Sequence, residues 1–132
     1  MIQTRIAQEA QKKLQGSWTA TKAERYGKVA DDVVGHRLSF TGKRFEIQSK
    51  DGKPLCAGTV RVDPGARPAA IDFEHTEGVL KGKARKGIYS LDGDTLQICD
   101  NSPNLGKGRP AAFEAKEWLR VYILITFKGV KP

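Results

Sequence analysis

The fold turns on "LQGSW", Leu14-Gln15-Gly16-Ser17-Trp18, because the hydrophobic period changes there. Upstream, Ile2, Ile6, Ala10 and Leu14 recur every four residues with Gln, Lys and Glu between them. That spacing predicts an amphipathic helix over residues 1–15 with a narrow apolar stripe. Gly16 stands where a C-terminal cap ends such a helix. So thin a stripe is marginal alone and must lean on the rest of the chain.

Downstream the period is two. Leu38 and Phe40 alternate with Arg37 and Ser39, and Phe45 and Ile47 with Glu46 and Gln48. Cys56, Gly58, Val60 and Val62 alternate with Thr59 and Arg61, and Ile71 and Phe73 with Asp72 and Glu74. Leu119, Val121, Ile123, Ile125 and Phe127 mark one face of the last strand. Lys50-Asp51-Gly52-Lys53 and Asp92-Gly93-Asp94 carry the Asp-Gly signal of tight hairpins. Residues 28–34, closed by Gly35, are expected to form one short helix. The pattern gives about eight short strands with no long helix between consecutive ones, which excludes a βαβ sheet. An antiparallel meander of this length hides its edges best by closing into a barrel. The expected architecture is all-β: one domain over 1–132, with a helix over 1–15 and an up-and-down barrel over 16–132.

The composition fits a globular domain of 132 residues, 39% hydrophobic and 29% charged. No window reaches the roughly 18 uninterrupted apolar residues of a membrane span. The start lacks a secretory pattern, so a cytoplasmic location is expected, with export of a longer precursor left open. Cys56 and Cys99 fall on opposite strand faces, a poor geometry for a disulfide, and are expected to be free thiols. The net charge of +8 points either to an anionic partner or to a self-repelling surface.

"LQGSW", "ARPAAIDF" (66–73), "GIYSLDGDTLQIC" (87–99) and "GRPAAFEA" (108–115) occur in that order. In this order they resemble a family of uncharacterised lipocalin-like bacterial domains abundant in planctomycetes. The resemblance covers nearly the whole chain from Leu14 onward. It implies an eight-stranded antiparallel barrel with Trp18 on the first strand near the closed end. It implies no reaction, and fold analogy makes ligand binding the leading expectation.

Little in the residues points to chemistry. His36 and His75 lie at strand ends, without ligand spacing to Cys or carboxylate, and are expected to be solvated. No metal site, cofactor or catalytic residue is assigned, and an enzyme is the least favoured class. Asp72 and Glu74 share a face roughly 7 Å apart, but face water if Ile71 and Phe73 face the core. The serines lack a nucleophile frame, and Cys56 on an apolar face is expected to be inert. Aromatic residues follow the apolar period, so no nucleic-acid stacking platform is formed.

Two readings remain open. In the first, a small apolar or amphiphilic ligand sits in a barrel lined by Trp18, Phe40, Phe45, Val60, Ile71, Phe73, Ile98, Val121 and Ile123. Lys81, Lys83, Arg85 and Lys86 would then form a rim for an anionic head group. In the second, the barrel is filled by its own side chains and an anionic partner docks through the basic loops.

Overall fold

The computed structural model describes residues 2–116 and 122–130. Helix α1 (Ile2–Leu14) precedes β1 (Gly16–Arg25), β2 (Lys28–Val29), β3 (Arg37–Thr41), β4 (Arg44–Gln48) and β5 (Pro54–Asp63). Then follow β6 (Ala70–Gly78), β7 (Ala84–Asp92), β8 (Thr95–Asp100) and β9 (Ile123–Gly129). Every pairing is antiparallel, and consecutive strands neighbour one another from β3 to β9. β1 pairs with β3 on one side and β9 on the other, from Trp18 opposite Gly129 to Arg25 opposite Ile123. That last pairing closes an eight-stranded barrel and leaves no open edge in the ring. The two-residue β2 is an outrigger on the end of β1.

Alternation sets the inside. Leu38 and Phe40, Phe45, Val60 and Val62, Ile71 and Phe73, Leu96 and Ile98 are buried and join one core cluster with Leu14, Trp18, Tyr89 and Phe127. A bulge at Thr21 shifts the parity of β1, so Ala20 before it and Ala23 after it are both buried.

α1 lies across the end of the barrel where β1 begins. Leu14 is fully buried, and its carbonyl accepts a hydrogen bond from Trp18 Nε1 at 2.8 Å. Gln11 and Gln15 donate to the Gly42 carbonyl in the β3–β4 turn, and Gln15 Oε1 accepts from Gly42 N–H at 2.6 Å. Gly16 takes φ +108, the left-handed region a capping glycine supplies at low cost. Thus the apolar stripe narrows to Leu14 and the half-buried Ala10, with Ile6 exposed; the side chain of Ile2 lies outside the described ones.

The chain departs from its sequence pattern at residues 28–34, which form β2 and a string of turns instead of a helix. Ala30 N–H donates to Ala23 O on β1, and just beyond the segment Gly35 N–H donates to Ala20 O, each at 2.8 Å, while Val33 N–H closes a turn onto Ala30 O at 3.1 Å. Residues 101–116 fold back on the barrel. There Gly27 N–H donates to Ala115 O at 2.6 Å, and Arg109 reaches Asp72 Oδ1 at 2.6 Å and Gly87 O at 2.9 Å.

Candidate functional site

Trp18, Phe40, Phe45, Val60, Ile71, Phe73 and Ile98 come together in the core cluster. They interdigitate: Phe45 meets Phe73 edge-on at 4.9 Å, and Phe40 stacks on Phe73 at 6.4 Å. Ile123 is buried and paired between Arg25 and Asp100. Val121 lies outside the described residues.

Open volume lies beside the helix. A groove of about 720 Å³ runs between one flank of α1 and the β5–β6 wall. Ala7 lines it on the helix side and Thr59 and Arg61 on the wall, with Lys12 and Lys43 adding positive charge; the side chains of Val60 and Val62, which border it, are buried in the core. Asp72 and Glu74 also line it, on the water-facing side of β6 as the alternation requires. Asp72 is neutralised by Arg109, so the charge that remains in the groove is mainly basic.

The opposite end of the barrel is polar inside. His75 is 3% exposed rather than solvated, and Arg85 is buried rather than part of an exposed rim. Both corrections have one cause. β6 runs on to Gly78 and β7 begins at Ala84, so the inward parity of Ile71 and Phe73 reaches His75, and that of Tyr89 reaches Arg85. β8 contributes the fully buried Asp100 in the same way, in phase with Leu96 and Ile98. Arg85 donates from Nε to His75 Nε2 at 2.8 Å and from Nη1 to Asp100 Oδ2 at 2.7 Å. Its guanidinium lies 4.2 Å from the centroid of Phe73.

Two glycines make room for this cluster. A Cβ on Gly58 would overlap the Glu74 carbonyl where β5 bulges opposite His75. A Cβ on Gly87 would come within 2.9 Å of Asp100 Cβ.

Burial pushes the pKa of His75 down to about 4, and the charge of Arg85 adds to the effect while Asp100 opposes it. The imidazole is therefore neutral at pH 7. Because Arg85 can only donate, Nε2 is the acceptor and the proton resides on Nδ1. That Nδ1–H is buried with no hydrogen-bond partner among the described residues. Sequence reasoning missed His75 and Asp100 as interior groups; extending the strand parity by two residues would have found them.

Both cysteines are free. Cys99, outward-facing but covered by residues 101–116, donates to Glu114 O at 3.5 Å and has its pKa pushed up to about 11 by burial. Among the described residues, no group of three or more His, Cys, Asp or Glu is arranged to hold a metal, and no helix is long and apolar enough to cross a membrane. Lys81, Lys83 and Lys86 are exposed, and none is ion-paired among the described residues. The chain matches no family model, no curated protein and no solved structure.

Proposed function

We propose that this barrel binds a small amphiphilic ligand with an anionic head, held in the groove beside α1 instead of inside the barrel. The observation that carries the reading is the 720 Å³ groove, which falls in the size range of small-molecule sites. Ala7 and the methylene stems of Lys12, Lys43 and Arg61 suit a hydrocarbon portion, and the charged ends of those three side chains suit an acidic head. The barrel interior is occupied by its own aromatic residues, so a ligand there would have to displace them.

Native mass spectrometry of freshly purified protein tests for a carried ligand, and calorimetric titration with laurate tests the class. Ala7→Trp fills the groove from the helix side and is expected to abolish laurate binding with little change in melting temperature. No adduct in the spectrometer and no saturable heat with laurate or a longer fatty acid would overturn the reading.

A second reading, docking of an anionic partner through the basic turns, is favoured by a different observation. The interior is packed, and Lys81, Lys83 and Lys86 stand exposed. Salt-sensitive retention on a polyanion such as heparin, reduced by Lys81→Glu/Lys83→Glu, is its expected behaviour.

A further inference from the structure

The β6–β7 turn carries an unusual combination. Val79 at its tip is 95% exposed, and Leu80 beside it is half-buried. From Gly78 to Ser90 the chain holds Lys81, Lys83, Arg85 and Lys86 and no acidic residue. The tip is also held in shape: Gly82 N–H donates to His75 O and Lys83 N–H to Leu80 O, each at 2.8 Å, and Lys81 N–H to Gly78 O at 3.1 Å. Thus Val79 is presented outward by a bonded turn.

The neighbouring rim extends the patch. Gly78 pairs with Cys56 and lies against the Leu55 backbone, which brings Leu55, 37% exposed, next to the Val79 turn. Just before Leu55, the β4–β5 turn adds Lys50 and Lys53 around Asp51. Glu77, the nearest acid on β6, is ion-paired to Arg44 at 2.7 Å. The result is an aliphatic tip flanked by four lysines, with Glu77 neutralised and Asp51 the remaining acid of the two turns. Aliphatic side chains that enter the headgroup region, flanked by cations that meet anionic phosphates, are the chemistry of interfacial attachment. A single-stranded nucleic acid would call for exposed aromatic rings, and none stands on this turn; a duplex backbone would give no role to the exposed Val79 side chain.

We propose that this end of the barrel docks on an anionic lipid bilayer, with Val79 and Leu55 entering the headgroup layer and Lys50, Lys53, Lys81 and Lys83 contacting phosphates. The inference rests on the reading that the basic turns engage an anionic partner, and it names that partner. It is independent of the groove, which lies at the other end of the barrel.

Co-sedimentation of the full chain with phosphatidylcholine vesicles, with and without phosphatidylglycerol, tests it. Binding is expected only with phosphatidylglycerol and is expected to weaken with salt. Each lysine reversed at Lys81 or Lys83 should lower partitioning at least about fivefold. Val79→Ser, at a side chain with almost no protein contacts, should lower it severalfold while the melting temperature stays put. Retention on heparin without any phosphatidylglycerol dependence would overturn the bilayer while keeping the anionic-docking reading. Loss of both would overturn both. Vesicle binding unchanged in Val79→Ser and in Lys81→Glu/Lys83→Glu would place the contact elsewhere and overturn the inference.

Discussion

Arg85 donates to His75 Nε2 at 2.8 Å with one nitrogen and to Asp100 Oδ2 at 2.7 Å with another, deep inside an otherwise apolar barrel. The acceptor role of Nε2 leaves His75 neutral, and the field of Arg85 opposes a second positive charge there. These relations give the barrel a pH dependence with a definite sign.

In the unfolded chain His75 takes up a proton as pH falls through about 6.5, whereas in the folded barrel it does so only near 4. The unfolded state therefore binds more protons between those values. Stability from this group is full above pH 6.5 and is lost progressively toward pH 4, on the order of 3 kcal/mol in all. Urea midpoints at neutral pH and at pH near 4.5 measure the loss. His75→Gln, whose side-chain oxygen can still accept from Arg85, is expected to show a smaller loss; an unchanged pH slope would refute the assignment.

Breaking the ion pair from one side strands a buried charge. Asp100→Leu and Arg85→Met are each expected to cost about 3–5 kcal/mol. Replacing both with apolar residues of similar size, Arg85→Met with Asp100→Leu, should cost much less than the sum. Chemical denaturation of the four proteins in the cycle reads the coupling directly. Additive costs would mean that the two groups do not depend on each other.

Trp18 has two tasks, filling the core under α1 and holding the last helical carbonyl. Trp18→Phe keeps most of the volume and loses the bond to Leu14 O, for a cost of about 1 kcal/mol. Trp18→Ala removes both and is expected to cost about 3–5 kcal/mol. Thermal melts separate the two. If laurate binding vanished in Trp18→Phe at unchanged stability, the indole would belong to the ligand site instead.

The two thiols should differ in reactivity. Cys99 is fully covered and holds its proton up to about pH 11, whereas Cys56 is only partly buried, although burial raises its pKa as well. A thiol reagent at pH 8 is expected to label Cys56 first and Cys99 only when the chain unfolds. Equal rates in native buffer would mean that residues 101–116 open readily.

Alternation made the barrel legible because most strands bury one face and wet the other: Phe40, Phe45, Ile71, Phe73 and Ile98 announced the inside. Where alternation carries polar residues inward, it stops being a hydrophobic signal. His75, Arg85 and Asp100 occupy inward positions at strand ends, and their pairing across three strands depends on register, which sequence spacing does not give. Arg85 was the most misleading, since four cations in a six-residue run look like a solvated turn until the strand is known to start at Ala84. The 28–34 segment misled for a related reason: it is tied to β1, through the β2 pairing and the bond from Ala30 N–H to Ala23 O, a contact that no local propensity encodes. The groove was equally invisible, because it belongs to the angle between a helix and a wall.

The closure between β1 and β9 has a consequence for how this chain acquires its shape. The ring joins residues near Trp18 to residues near Gly129, so its last contacts span more than a hundred positions of sequence. Local hairpins can pair early, but the barrel has no closed form until Ile123–Gly129 is in place. Folding should accordingly be slow for a domain of this size, with closure as a late step. A chain that stopped short of Ile123 would keep most of its hairpins yet leave β1 and β8 each unpaired on one side, two sheet edges open to pairing with another chain. In this barrel β9 decides between a closed ring and a sheet with edges prone to aggregation.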